Sequence, residues 1–428
     1  MTEKKRLPAE MYDKVNYMCR RYMDRIARFE LDYDVIPDIE VFKMAVTGFF
    51  EAAPVFHSRF IDNHIVPFWK VSDYTVDDIL TVESTNDLAK SADEFLLRDI
   101  DLKSNVQMKI GIFTNNGRCK ICFMWNHMCM DGGDLKQFLD DFFASYNACL
   151  GGDEQPMKYK SGGTRGYKAV YADFDKKDRK KAKSLFAGVS SGDRKHHLPF
   201  TDKSAEDKKF IARRKISSDI FNAARITAKN HGATVNDLLA AAYIKAFYAM
   251  AKCPRERVGI SCAVDLRRYI KNPRATGYTN HTAFFPCVVQ SDSVTMTEML
   301  DKVVLYMKKM KEDCFLGLHG LPLLHIGYST MIYAQAELVV GMFYNNANLA
   351  ISNVGAFNVD NLLIGKNKPV GAAVAGAAKE KPCGMTTALT LGGELSLSIC
   401  SRGNKRDSEM LDEFLCLIEK NLSELAEA

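Results

Sequence analysis

The sequence lacks any long apolar run. None reaches the roughly 18 residues that a membrane helix requires, and the opening MTEKKRLPAEMYDK has no apolar core of the kind a secretory signal carries. A cytoplasmic chain without a membrane span is expected. It also lacks charge of one sign in excess. Its 58 Lys and Arg against 53 Asp and Glu leave a formal +5, too small and too dispersed to recruit nucleic acid, although it would not repel an anionic cosubstrate. Metal-type cysteine spacing is missing as well. Most of the 12 cysteines stand singly inside apolar runs such as SCAV and LSIC, where a free thiol serves as a small hydrophobe. Cys119 and Cys122 form a C-x-x-C, but in a segment of strand character, where side chains three apart face opposite ways and cannot share one ion. No metal site is expected, and a cytosolic setting disfavours structural disulfides.

What the chain does have is core-forming material. Its 428 residues exceed the size at which a single core keeps growing, and 47% hydrophobic with 26% charged residues is ordinary globular composition. Two domains follow. In the first half, Val106, Met108, Ile110 and Ile112 alternate, TNNG makes a turn, and Cys119, Ile121, Phe123 and Trp125 alternate again, which predicts a hairpin. Its second strand ends at WNHMCMDGGDLKQF, delivering His127 from a rigid edge. Beyond Gly132 and Gly133, where a turn free of Cβ atoms is expected, Leu135, Phe138, Leu139, Phe142, Phe143 and Tyr146 fall on one face of a helix.

Residues 151–209 are rich in Gly, Ser, Lys and Asp and predict a linker or crossover with one solvated helix around DFDKKDRKKAK. This divides the chain into 1–150, the linker, and 210–428. The last segment resumes order with a helix capped by Thr234, a strand VGISCAV running into Asp265, Leu266 and Arg267, then GYTNHTAFFPCVVQ, and a helix opened by the capping box of Thr295 and Glu298. It ends in MTTALTL, a Gly-Gly turn, ELSLSIC and an amphipathic helix at 410–425. Both halves mix sheet and helix, and neither repeats the other by eye.

NHMCMDGG resembles the HHxxxDG signature of the superfamily that contains chloramphenicol acetyltransferase, alcohol acetyltransferases and the condensation domains of peptide synthetases. It is preceded by PVFHSRF and followed, in that family's order, by TVNDLLAAAYIKA, VDLR, GYTNHTAFF and SNVG, so the resemblance spans nearly the whole chain. One position departs: Asn126 stands where the signature has its first histidine.

The resemblance implies an α/β (α+β sandwich) fold of two chloramphenicol-acetyltransferase-like lobes forming a pseudo-dimer with a tunnel between them. It implies transfer of an acyl group, acetyl in the first instance, from acyl-CoA to a small-molecule alcohol or amine, by a monomer with no bound cofactor. His127, the second histidine of the signature, would be the general base, a task suited to imidazole near neutral pH. Asp131 would turn from His127 to pair with Arg267 and, with Gly132, support the catalytic loop. Ser352 and Asn353 of SNVG would line the tunnel or donate to an oxyanion, against the plainer reading of a turn between strands. The other eight histidines, His281 among them, are read as structural. Three further readings share the fold: a donor thioester on a carrier protein, a covalent enzyme using Cys129, and a non-catalytic relative.

Overall fold

The computed structural model describes residues 6–101, 103–152, 163–183, 195–251, 253, 256–290, 295–319, 321–343 and 347–428. In chain order the first half runs β1 (Arg6–Pro8), α1 (Met11–Met18), β2 (Ile26–Tyr33), α2 (Ile39–Ala52), β3 (Ser58–Ile61), β4 (Phe68–Val71), β5 (Leu80–Ser84), α3 (Leu88–Leu96), β6 (Met108–Asn115), β7 (Arg118–Asn126) and α4 (Gly132–Leu150). The middle holds the exposed α5 (Lys176–Ala182). Then follow β8 (Lys208–Ile216), α6 (Ser218–Asn230), α7 (Val235–Ala251), β9 (Arg257–Asp265), β10 (Thr282–Gln290), α8 (Met296–Lys311), α9 (Leu321–Thr330), α10 (Tyr333–Phe343) and β11 (Leu349–Phe357). The chain closes with β12 (Gly371–Ala375), β13 (Gly384–Leu391), β14 (Glu394–Gly403) and α11 (Lys405–Ala426). Much of the predicted linker, 153–162 and 184–194, lies outside the described residues.

The expected α/β fold is present as two lobes. One is built on a five-stranded sheet ordered β12-β2-β7-β6-β5, the other on a six-stranded sheet ordered β10-β9-β11-β13-β14-β8; β1, β4 and β3 form a small third sheet. The β6–β7 hairpin turns at Asn116 and Gly117, whose φ values of 47° and 81° suit the right-handed twist of the strands. Period-two alternation in β7 sends Cys119 into the core beneath α2 and α4 and Cys122 into the opposite core against α3, so the two thiols face apart. In the second lobe α6, α7, α8 and α11 cover the larger sheet, with Thr234 and Asp237 capping one another at the start of α7.

The lobes are interleaved. β12, from the segment expected to belong wholly to the second lobe, pairs antiparallel with β2 and completes the first lobe's sheet. Its GAAVA sequence is buried throughout and carries no alternation to mark it as a strand. Across the seam, Thr387 Oγ1 donates to the Val374 carbonyl at 2.6 Å, and Arg213 of β8 meets Glu30 of β2 at 3.1 Å. Among the described residues no helix is long and apolar enough to cross a membrane.

Candidate active site

The hairpin positions His127 just past the last residue of β7. Ile26 and Asn126 form the final pair of the β2–β7 ladder, and the His127 N–H donates to the Arg25 carbonyl at 2.8 Å. The strand stops there because Asn126 turns the chain. Its side-chain oxygen accepts from Met128 N at 3.1 Å, its carbonyl accepts from Cys129 N at 2.8 Å, and its Nδ2 donates to Gln107 Oε1 at 2.9 Å. Asn126 is buried. An amide that must donate and accept at once is therefore held in the turn, one position before the half-buried imidazole.

Asn280, in the loop before β10, orients that imidazole. Its Nδ2 donates to the His127 carbonyl at 2.7 Å, which fixes which end of the amide is oxygen; that oxygen, Oδ1, lies 2.9 Å from His127 Nδ1. Oxygen can only accept, so Nδ1 carries the proton and Nε2 keeps the lone pair. Nε2 has no hydrogen-bond partner among the described residues.

Asp131 caps α4 with one oxygen, which accepts from Gly133 N and Asp134 N at 3.1 Å each. The other accepts from His281 N at 2.7 Å and Thr282 Oγ1 at 2.9 Å, and Arg267 Nη1 approaches the carboxylate at 2.9 Å. Burial alone would raise its pKa, but the Arg267 charge and these donors hold it well below the usual carboxylate range. Arg267 also meets Asp134 at 3.0 Å and Asp265 at 3.2 Å. This one arginine thus ties the start of α4 to the β9 end and, through the Thr279 carbonyl at 3.1 Å, to the Asn280 loop.

The two glycines serve a purpose other than the expected turn. They are the first residues of α4, and neither has a positive φ. A Cβ at Gly133 would lie 2.5 Å from Arg267 Nη1 and 2.8 Å from Asp265 Oδ2, whereas one at Gly132 would meet only Val354 methyls, at 3.2 and 3.4 Å. The glycine is needed for close approach of the arginine. Gly133→Ala is accordingly expected to destabilise the fold by roughly 1–3 kcal/mol through displacement of Arg267, with Gly132→Ala the milder of the two. Denaturant melts of the pair check the order.

Sequence reading missed a second arginine. Arg165 sits in the described part of the predicted linker. It forms a two-pronged pair with buried Asp13 at 2.8 and 2.9 Å, and donates to the Met128 carbonyl at 3.1 Å and the Tyr278 carbonyl at 2.7 Å. The loop after His127 is thereby gripped from both sides. Asn353 is engaged elsewhere: its oxygen accepts from Gly355 N at 2.9 Å within a β-bulge, and its Nδ2 donates to Asn236 at 2.8 Å. Ile351 and Asn353 line a pocket with Asn236, Leu239, Cys262 and Phe285, while Ser352, one residue along the strand, alternates to the other face. The structure brings His127, Asp131, Gly132 and Arg267 together, and Val354, next to Asn353, packs against Gly132. His281 is fully buried. Cys129 is fully buried too, and burial pushes its thiol pKa up.

A family model described as the Condensation domain matches residues 28–304, more than half of the chain. Among solved structures, trichothecene 15-O-acetyltransferase from Fusarium sporotrichioides superposes with a TM-score of 0.73 at 14% identity, covering 98% of this chain and 95% of that one. The first condensation domain of the calcium-dependent antibiotic synthetase gives 0.69 at 12% identity over 99% of both chains. Polyketide synthase associated protein 5 from Mycobacterium tuberculosis gives 0.65 at 12% identity over 98% of both. At such identities the likeness is one of fold. No curated protein matches by sequence. With its two interleaved lobes and the matched span running through β7, the His127 loop and β10, the chain belongs to the condensation-domain family.

Proposed function

We propose that this protein transfers an acyl group from a thioester, acyl-CoA in the first instance, to the hydroxyl or amine of a small-molecule acceptor, with His127 as general base. The observation that carries the reading is the Asn280 clamp, which leaves His127 Nε2 as an unpartnered lone pair on a half-buried ring at a rigid strand end. The acceptor's O–H or N–H gives its proton to Nε2 as its heteroatom attacks the thioester carbonyl. The tetrahedral adduct then collapses, breaking the C–S bond, and the imidazolium returns the proton to the leaving thiolate. Neither step calls for a metal or cofactor, and holding the two substrates in line supplies much of the remaining acceleration. Asp131 and Arg267 act by holding the loop, and neither is assigned contact with substrate.

A second reading, in which the thioester is tethered to a carrier protein, has the family model in its favour. Thiol release measured across free acyl-CoA donors, acylated carrier proteins and panels of alcohols and amines separates the two. Turnover only from the carrier-bound donor favours the second reading, and none from any donor removes both.

Direct transfer needs both substrates present together. Initial-rate lines should intersect, and no acyl adduct should accumulate on the enzyme. Cys129→Ser should keep most of the activity, because a thiol fully buried at the base of the loop, its sulfur donating to the Val55 carbonyl at 3.9 Å and its pKa raised by burial, is a poor nucleophile. Parallel lines together with a stable mass increment on Cys129 would transfer the chemistry to that residue.

A further inference from the structure

Arg25 is the residue directly across the β2–β7 ladder from His127, since the register pairs Ile26 with Asn126. It has a φ of 62°, a left-handed conformation that an arginine seldom adopts outside a turn and that often marks a functional constraint. Its Nε and Nη1 are buried, and among the described residues they have no hydrogen-bond partner. The nearby carboxylates are committed to other groups. Asp24 pairs with Arg28 and Lys209, Glu337 pairs with Arg20, and Asp62 accepts the Tyr17 hydroxyl at 2.6 Å.

The Arg25 guanidinium carbon lies 5.8 Å from the centre of the Tyr17 ring. Tyr333 of α10 packs against the same ring, centroids 6.0 Å apart, and its buried hydroxyl is likewise without a partner. Two buried, unpaired nitrogens of a half-buried cation and a buried hydroxyl thus flank one aromatic ring, and the backbone carbonyl of that same arginine holds the base. Burial without an anion is costly for a guanidinium. A planar donor fork of this kind is matched by the oxygens of a carboxylate or phosphate.

We propose that Arg25 and Tyr333 form an oxyanion-binding subsite beside His127, which takes a carboxylate or phosphate group of a substrate. The inference deepens the acyl-transfer reading and rests on it only in calling the ligand a substrate. A carboxylate would be carried by the acceptor, a phosphate by the pantetheine arm of the thioester donor.

Titration calorimetry with two matched probe pairs tests it: 3-hydroxybutyrate against 3-hydroxybutyramide, and 4′-phosphopantetheine against pantetheine. In the wild type the charged member of one pair should bind at least about tenfold tighter than its neutral partner, and the pair that shows this identifies the source. Arg25→Gln should bring that ratio close to unity, and Tyr333→Phe should reduce it several-fold. If Arg25→Gln does not fold, Arg25→Lys stands in for it, expected to keep the charge but lose most of the preference that depends on the planar fork. Equal binding within both pairs, no binding by any of the four probes, or a preference that survives the Arg25 and Tyr333 substitutions overturns the subsite. Because the readout is binding, the two proposals fail separately. An Arg25-dependent preference without thioester turnover from any donor removes the acyl-transfer reading and keeps the subsite, while turnover with no preference does the reverse.

Discussion

His127→Ala is expected to lower the rate of acyl transfer by at least about a hundredfold, and by up to roughly ten-thousandfold, the range that a positioned general base supplies. The melting transition should barely move. The imidazole is half-buried and its one side-chain bond is to Asn280, whereas the loop itself is held by backbone groups: the His127 N–H on the Arg25 carbonyl, the His127 carbonyl on Asn280 Nδ2, and the Asn126 turn. Those contacts do not need the ring. The loss should appear in kcat with KM little altered, because a base that acts in the transition state contributes little to ground-state binding. A residual rate above the uncatalysed one should persist from substrate alignment. Steady-state kinetics with circular dichroism on the same sample decides the matter, and wild-type turnover in a folded variant would remove His127 from the mechanism.

The elements that place His127 were legible because their signals are local. Alternation in 106–125, the TNNG turn and the helical stripe from Leu135 to Tyr146 each lie within a few residues of one another, and all reappear as β6, β7 and α4. Period and turn chemistry need no knowledge of the rest of the chain. β12 had no such signal. Five small residues, all buried, read neither as strand nor as helix, and only their pairing with β2, more than 300 residues earlier, makes them part of the first lobe's sheet.

The site divides in the same way. His127, Asp131 and Arg267 stood out through motif resemblance, yet the residue that sets the histidine tautomer is Asn280, 153 positions away, in a stretch whose only residue singled out, His281, was read as structural. Arg165 lay hidden because a Gly- and Lys-rich stretch reads as solvated, and its burial comes from Asp13 and from carbonyls of two distant loops. The glycines after Asp131 were legible as glycines but not as to purpose, since what Gly133 makes room for is the Arg267 side chain, brought in from the other lobe.

That arginine sets the second large expectation. Asp131→Ala should destabilise the protein by about 3–5 kcal/mol, in line with the loss of one member of a buried ion pair. The parts add to a similar figure. Loss of the α4 cap costs about 1 kcal/mol, and leaving the buried His281 N–H without its acceptor costs roughly 1–3 kcal/mol. Arg267 keeps Asp134 and Asp265, which limits the remainder. Asp131→Asn should recover little, because its amide N–H groups would face the donors of Arg267 and His281. Asp265→Ala should matter far less, its carboxylate being half exposed. The pH dependence carries a definite sign. The folded-state pKa of Asp131 is depressed, so its charge-dependent stabilisation is fully present above the ordinary aspartate value of about 4 and is lost as pH falls below it toward the folded value. The gap in unfolding free energy between wild type and Asp131→Ala should therefore hold steady from neutral pH down to about 5 and narrow below about 4, as read from denaturant titrations at each pH. A gap that is equally wide in acid would assign the stabilisation to the cap and to neutral hydrogen bonds. Lost activity with an unchanged melt would instead make Asp131 a partner in the chemistry.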